Sequence, residues 1–257
     1  MTIYPIRAFS DNYIWALHDA NSNKVVVVDP GDANPVIEYV EHNNLELDSI
    51  LITHYHNDHI GGVETLKQQY NCQVYGSSYD NLSFCDGLLE DSQSISLLNG
   101  QLNFDILHVP GHTLGHIAYY DAQNQILFCG DTLFKAGCGR MFEGQPQQFY
   151  QSLMKLAALP STTKVYCTHE YTLSNLRFAL HIEPNNQATQ TTNKVCTELR
   201  SKDKVTLPSS IAEELATNPF LRCNIPSVQQ RINQITARND KQDFEIFASM
   251  RRLKDNF

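Results

Sequence analysis

A short segment near residue 54 carries three histidines and one aspartate within six positions: His54, His56, Asp58 and His59. Neutral imidazole nitrogens and carboxylate oxygens are both common ligands of divalent metals. The spacing H-x-H-x-D-H places these side chains on one loop, directly after the apolar residues 50–52. The pattern predicts a metal site rather than a polar turn that is rich in histidine.

Three further candidate ligands follow later in the chain, each in a loop after a predicted strand. They are His112 in Pro-Gly-His-Thr, Asp131 in Gly-Asp-Thr and His169 in Thr-His-Glu-Tyr. The complete set exceeds the four-coordination that is usual for one zinc ion. It therefore predicts two divalent metal ions per chain. Zinc is the expected metal, and Fe and Mn are alternatives because histidine and carboxylate also bind them.

Asp131 is the natural bridge between two ions, because one carboxylate can offer an oxygen to each. The other ligands would divide between the sites: His54, His56 and His112 at one, and Asp58, His59 and His169 at the other. Ions held ~3.5–4 Å apart can share a hydroxide, and zinc lowers the pKa of bound water to about 7. The chemistry predicted from this set is hydrolysis.

Strands and helices alternate in front of the tail and would position the ligand loops. Strands are predicted over residues 3–9, 13–18, 24–28, 47–52, 73–76, 94–98, 103–108, 117–120, 125–129 and 164–167, and helices over 35–42, 63–70 and 146–159. After residue 171 the strand-like alternation disappears and polar helix formers dominate. We predict a metal-binding catalytic domain over residues 1–171 and a helical substrate-binding domain over residues 172–257.

Composition narrows the classes of partner and compartment. A formal charge of −9 argues against a nucleic-acid or anionic-membrane surface, since both need clustered Lys and Arg. Seven cysteines without a C-x-x-C pair, and an N-terminus without a signal-peptide pattern, predict a reducing cytoplasm. No run approaches the ~18 apolar residues of a membrane span. The chain is expected to be a monomer.

The ligand motifs also resemble those of the metallo-β-lactamase superfamily, and within it the hydroxyacylglutathione hydrolase (glyoxalase II) family. The array Thr-His-x-His-x-Asp-His and the later Pro-Gly-His-Thr, Gly-Asp-Thr and Thr-His-Glu-Tyr segments carry the superfamily resemblance. Further segments extend it to the hydrolase family: Asp11-Asn12-Tyr13, Ala136-Gly137-Cys138-Gly139-Arg140, Glu183-Pro184-Asn185, Asn218-Pro219-Phe220-Leu221-Arg222 and Arg251-Arg252-Leu253-Lys254-Asp255.

This resemblance implies an αββα sandwich that carries the metals, followed by a smaller all-helical C-terminal domain. It also implies hydrolysis of S-(2-hydroxyacyl)glutathione, with S-D-lactoylglutathione preferred, as the second step of methylglyoxal removal. The bridging hydroxide would attack the thioester carbonyl, and Asp58 would coordinate one metal and orient that hydroxide.

Glutathione carries two carboxylates, so an acidic protein needs a local basic cluster to bind it. By the family pattern, Arg140, Arg251 and Lys254 supply this cluster, and Tyr171 contributes its phenol. Arg140 stands where many relatives have Lys, which keeps the charge and changes the hydrogen-bond geometry. Phe142 stands where some relatives have Tyr, so a hydroxyl contact is lost there.

Three other residues could be taken for site residues. His116 lies close to His112 in sequence, and we predict a supporting role rather than an eighth ligand. Asp29 either ends its strand or orients a ligand histidine. Cys138 is predicted to be structural, because no general-base pattern accompanies it.

Two alternative functions are compatible with parts of the pattern. A glutathione persulfide dioxygenase would hold one iron with a His/His/Asp set, which would leave Asp58, His59 and His169 without a metal role. A catalytically inactive binding module would be expected to have lost at least one ligand, and none is missing. The dinuclear hydrolase is therefore favoured.

Overall fold

The computed structural model describes residues 1–19 and 22–257, which form two compact units. The first unit contains Met1–Val109 with Leu114–Gly130, and the second contains Pro110–Thr113 with Asp131–Phe257. The division differs from the predicted boundary at residue 171, since the segment after Gly130 belongs to the same unit as the tail. The boundary between a catalytic and a substrate-binding domain stays a prediction.

A six-stranded sheet runs through the first unit in the order β1-β2-β3-β4-β5-β6. Its strands are β1 (Thr2–Ala8), β2 (Asn12–His18), β3 (Lys24–Val28), β4 (Glu46–Leu51), β5 (Gln73–Ser77) and β6 (Gly87–Leu89). The pairs β1/β2 and β2/β3 are antiparallel, and β3 to β6 are parallel. The valines of β3 are all buried, as expected for an inner strand of the sheet that is covered on both faces.

Helices α1 (Ala33–His42), α2 (Asn57–Ile60) and α3 (Val63–Tyr70) belong to the same unit. Asp32 caps α1 by accepting a hydrogen bond from the Asn34 amide, which satisfies one of the helix's open donors. Apolar residues of α1 and α3 form one core with the first sheet, among them Val36, Val40, Val63, Leu66, Val25, Val27 and Ile50.

Four antiparallel strands form a second layer in the first unit. They are β7 (Ser94–Leu97), β8 (Leu102–His108), β9 (Ile117–Asp121) and β10 (Ile126–Gly130). The buried Tyr119 of β9 donates its hydroxyl to the Ile52 carbonyl at 2.8 Å. The Ile117 amide donates to the Thr53 carbonyl at 2.9 Å. These bonds join the second layer to the loop that follows β4.

Parallel strands β3 and β4 end side by side, with Val28 opposite Leu51. Asp29 and the loop that starts at Thr53 therefore leave the same edge of the sheet. The carboxyl edge of parallel strands is where ligand sites lie in α/β folds. The register thus brings Asp29 to the loop that carries the first four predicted ligands.

The second unit contains short strands and most of the helices. The strands are β11 (Leu133–Phe134), β12 (Gly137–Cys138), β13 (Lys164–Cys167) and β14 (Ser209–Ser210). The helices are α4 (Pro146–Ala157), α5 (Thr172–Ile182), α6 (Gln187–Ser201), α7 (Ile211–Thr217), α8 (Pro226–Thr236) and α9 (Asp243–Asp255). The tail is helical as predicted, except for β14.

Polar caps and an aromatic core stabilise the helical tail. Asn186 and Ser210 cap α6 and α7 by accepting from backbone amides. The buried rings of Phe178 and Phe247 each lie 5.9 Å from the ring of Phe220. Among the described residues, no helix has both the length and the apolar character to cross a membrane.

Candidate active site

The first unit presents four of the predicted ligands at the carboxyl edge of β4. Nε2 of His54 lies 3.1 Å from Nδ1 of His56, so both nitrogens can face one cation. His54 and His59 are a second pair with ligand atoms within 4.8 Å, and Asp58 and His59 are a third. Both His54 and His59 are fully buried. The loop therefore places its imidazoles and its carboxylate near one another, and their role as metal ligands stays a prediction.

Asp29 orients this group of ligands. Its Oδ2 accepts from Nδ1 of His59 at 3.0 Å and from the Thr53 hydroxyl at 2.7 Å, and its Oδ1 accepts from the Thr53 amide at 2.8 Å. Nε2 of His59 then lies 3.5 Å from Oδ2 of Asp58. A carboxylate bonded to the far nitrogen of a ligand histidine fixes its tautomer and ring orientation. Of the two interpretations of Asp29, the structure favours the orienting role.

Asn12 holds the carboxylate of Asp58. Its side-chain amide donates to Oδ2 of Asp58 at 3.1 Å and to the Asp58 carbonyl at 3.4 Å. Sequence reasoning assigned no role to Asn12, although it belongs to the Asp11-Asn12-Tyr13 segment of the family resemblance. That segment was the available signal.

His116 supports His54 from the side. The two rings stack with centroids 4.6 Å apart and planes 16° apart, and both side chains are fully buried. This agrees with the predicted supporting role.

In the second unit, Asp131 lies between two predicted histidine ligands. Its Oδ2 is 3.3 Å from Nε2 of His169 and 3.5 Å from Nε2 of His112. Nδ1 of His112 donates to the Arg140 carbonyl at 2.7 Å, which turns Nε2 toward Asp131. All three ligand side chains are buried. A carboxylate oxygen flanked by two oriented imidazole nitrogens is a donor set that suits a divalent cation.

Tyr171 and Phe142 flank these ligands. The Tyr171 ring stacks on the His169 ring at 4.6 Å with planes 1° apart, and its side chain is partly exposed. Phe142 is 62% exposed, and its ring meets the His112 ring edge-on at 5.2 Å. Phe142 therefore provides an apolar edge beside His112.

Lys254 is half-buried, and its Nζ donates to the Ser174 hydroxyl at 3.1 Å. The ammonium also lies 5.5 Å from the centre of the Phe178 ring and 5.6 Å from that of Phe257. Burial, followed by repulsion from Arg251, lowers the pKa of Lys254 to about 8. The charge of this lysine is therefore sensitive to pH just above neutrality.

The other two predicted basic contacts differ from each other. The Arg140 side chain is exposed. Arg251 is only 4% exposed, and its NH1 donates to the carbonyls of Cys138 at 2.9 Å and Gly139 at 3.3 Å. It also forms an ion pair with Asp255 at 3.0 Å. A contact of Arg251 with glutathione stays a prediction, while its contact with the 138–139 backbone is observed.

Cys138 is buried, and burial raises the pKa of its thiol to about 11. The thiol is therefore protonated at neutral pH, and a thiol is a poor nucleophile in that form. This agrees with the structural role predicted for it.

Comparison with known proteins identifies the family. Residues 11–169 match the metallo-beta-lactamase superfamily, and residues 170–257 match the hydroxyacylglutathione hydrolase C-terminus. A hydroxyacylglutathione hydrolase of Pseudomonas paraeruginosa is 53% identical over 98% of each chain. The chain belongs to the hydroxyacylglutathione hydrolase family. The predicted resemblance, the fold class and the assignment as a hydrolase are confirmed.

More distant members and structures agree with this family. A hydroxyacylglutathione hydrolase of Photobacterium profundum is 48% identical over the full length of both chains. The crystal structure of ETHE1 from Myxococcus xanthus is 25% identical, with a TM-score of 0.66 over 99% of this chain and 98% of that one. The metallo-beta-lactamase fold, with the clustered His and Asp side chains, supports divalent-metal binding by this chain.

Proposed function

We propose that this chain hydrolyses S-(2-hydroxyacyl)glutathione to glutathione and a 2-hydroxy acid. The preferred substrate would be S-D-lactoylglutathione, in the second step of methylglyoxal removal. The observation that carries the proposal is the full-length similarity to hydroxyacylglutathione hydrolases in a chain that retains every predicted ligand.

The donor sets on the two units fit divalent cations. The first unit offers His54, His56, Asp58 and His59, and the second offers His112, Asp131 and His169. We propose that the chain binds two divalent ions through these residues, with Asp131 as the shared ligand and zinc as the expected metal; Fe and Mn are alternatives. When bound, such ions make hydroxide available at neutral pH and polarise a carbonyl oxygen. Thioester cleavage needs both effects.

The residues around the ligands would orient the reactants. The carboxylate of Asp58, held by Asn12, is assigned to orienting the attacking water toward the thioester carbonyl. Asp29 and the Arg140 carbonyl hold the rings of His59 and His112 in place. Such preorganisation lowers the barrier because no group must reorient during the reaction.

Glutathione would be bound by groups of the second unit. The exposed guanidinium of Arg140 and the ammonium of Lys254 suit its two carboxylates, and Tyr171 offers a phenol beside His169. Arg251 belongs to the same proposed set, although its NH1 is bonded to the Cys138 and Gly139 carbonyls. The guanidinium geometry of Arg140 favours a paired contact with a carboxylate.

We further infer that the enzyme works in a reducing compartment, the cytoplasm, as a monomer. All seven cysteines are free, and six of them are buried. Free thiols are typical of cytoplasmic proteins. No nucleic acid or membrane partner is expected at a net charge of −9.

The purified protein is expected to release free thiol from S-D-lactoylglutathione. The Asp58→Ala variant is expected to have a kcat/KM lower by about 10²- to 10³-fold, which is the range for loss of one preorganised electrostatic group. Thiol release is measured with a colorimetric thiol reagent. Asp105→Ala, which removes a carboxylate bonded to Ser94, is the control and should leave the rate unchanged.

Two results would contradict the proposal. Protein that holds about two metal ions per chain and shows no thioesterase activity would overturn the assigned substrate. Activity that survives complete chelation would overturn the metal-dependent mechanism. Oxygen consumption with a glutathione persulfide, in place of hydrolysis, would favour the dioxygenase alternative.

Above pH 8 we expect kcat/KM to fall, because Lys254 loses its charge as the pH rises through its pKa of about 8. The rate is expected to fall rather than rise because the ammonium of Lys254, which is present below this pH, is proposed to bind a carboxylate of the substrate. The pH profile of kcat/KM reports the free enzyme. Lys254→Met should lower kcat/KM below pH 8 and flatten this alkaline decline. Lys254→Arg, which stays charged, should move the decline to higher pH; an unchanged profile in both variants would exclude Lys254 as the binding cation.

A further inference from the structure

Six consecutive residues of the second unit, residues 134–139, are each bonded through the backbone to a side chain of the helical tail. Asn218 donates to the carbonyls of Phe134 at 3.2 Å and Gly137 at 2.8 Å. Asn175 donates to the Lys135 carbonyl at 3.1 Å. We name residues 134–139 the clamped loop. The segment includes the end of β11 and all of β12, which pair with each other, and the bonds to tail side chains are additional to this pairing.

The remaining bonds come from Glu214 and Arg251. Glu214 is fully buried, and its Oε2 accepts from the Ala136 amide at 2.8 Å and from the Asn218 amide group at 3.0 Å. Arg251 donates to the last two carbonyls of the loop, at 2.9 Å and 3.3 Å. Ala136 has a φ of 55°, in the left-handed region that alanine rarely adopts. The Glu214 bond therefore holds the loop at its one strained residue, in addition to the pairing of β11 with β12.

The clamped loop ends against two of the predicted ligands. A Cβ added to Gly139 would lie 2.0 Å from the Asp131 carbonyl oxygen and 3.1 Å from Nδ1 of His112, so this backbone is in close contact with both residues. The next residue, Arg140, supplies the carbonyl that accepts from His112 at 2.7 Å. A shift of the loop would therefore move the group that orients His112.

We propose that Asn218, Asn175, Glu214 and Arg251 are positioning residues: through the clamped loop they set the orientation of His112 and the place of Asp131. They act through the 134–140 backbone and need no contact with substrate. The helical tail would then have two roles, since it also carries proposed substrate contacts. This inference rests on the proposed function, because it assumes that His112 and Asp131 bind a metal.

The test compares two asparagines of the tail. Asn218→Ala removes both bonds to the loop carbonyls, together with the bond to Glu214 and the cap on the Phe220 amide. It is expected to weaken zinc binding by about 10- to 100-fold, the range for loss of a group that orients a ligand. Asn233→Ala is the matched control, because Asn233 exchanges two hydrogen bonds with the Asp240 backbone and contacts no residue of the loop through them. Zinc affinity is measured by competition with a chromogenic chelator.

Asn175→Ala provides a second, milder variant should Asn218→Ala fail to fold. It removes one loop bond, so a smaller loss of zinc affinity in the same direction is expected. Equal zinc affinity in wild type and Asn175→Ala would overturn the proposal. Equal losses in Asn218→Ala and Asn233→Ala would also overturn it, since they would show general destabilisation.

Failure of the proposed function can be distinguished from failure of this inference. Zinc affinity is measured without substrate, so its order among the variants does not depend on thioesterase activity. If wild-type protein binds zinc without hydrolysing S-D-lactoylglutathione, the substrate assignment fails, and the affinity order still decides the role of the clamp.

Discussion

Asp131→Asn is expected to lower the kcat/KM of thioester hydrolysis by more than about 10³-fold. This exceeds the loss for a single preorganised group, because Asp131 is proposed to be a ligand of both ions. Asp131 is buried, and its Oδ2 lies within 3.5 Å of ring nitrogens of both His112 and His169. Asparagine keeps the shape of the side chain and loses its charge. Metal content per chain, measured by mass spectrometry after dialysis, should fall together with the rate.

Asp121→Asn is the matched control for this substitution. Asp121 is also a fully buried carboxylate, and it accepts hydrogen bonds from the backbone amides of Asn103 and Asn124. Neither of these residues is a predicted ligand. Its replacement should lower stability and leave metal content unchanged. If Asp131→Asn keeps both its metal and its rate, Asp131 does not bridge the ions.

Gly139→Ala is expected to lower kcat/KM by about 10²-fold or more, the effect of misplacing a reacting group by ~1 Å. The new Cβ would lie 2.0 Å from the Asp131 carbonyl oxygen, which is backbone and cannot rotate away as a flexible side chain can. The same Cβ would lie 3.1 Å from Nδ1 of His112. The loop must therefore shift, and the Arg140 carbonyl that orients His112 must shift with it.

Gly100→Ala tests whether general destabilisation by an alanine in place of glycine explains this loss. Gly100 has a φ of 86°, so alanine is strained there, but its Cβ would meet only the Ser96 hydroxyl oxygen, at 4.0 Å. We expect a lower melting temperature with normal kcat/KM for Gly100→Ala. Normal kinetics in Gly139→Ala would show that the loop can move without disturbing the ligands.

Elements with a long periodic pattern were predictable from the sequence. The valine run of β3 and the helix α4 were predicted close to their observed bounds, Lys24–Val28 and Pro146–Ala157. The short strands β6, β11, β12 and β14 were not predicted. A strand of two or three residues has no readable alternation, and its partner strand decides whether it forms.

Within the site, the kinds of ligand were predictable, while the groups that orient them were not. His54, His56, Asp58 and His59 are recognisable because metal chemistry restricts the residue types and one loop restricts their distances. The sequence allows two interpretations of Asp29, since nothing in the local sequence shows that its carboxylate reaches His59, thirty residues away. The pairing of β3 with β4 brings them together.

The sequence by itself determined the family and the reaction class, and it predicted the ligand types, because these depend on residue identity at short spacing. Only the tertiary structure decided how the ligands are held. His112 is oriented by a carbonyl 28 residues away, and Arg251 reaches the Cys138 carbonyl across 113 residues. Such contacts depend on the packing of the whole second unit. The pKa of Lys254 also depends on this packing, because burial of its side chain lowers it to about 8. Local sequence carries no record of these distances, since they arise only when the chain has folded.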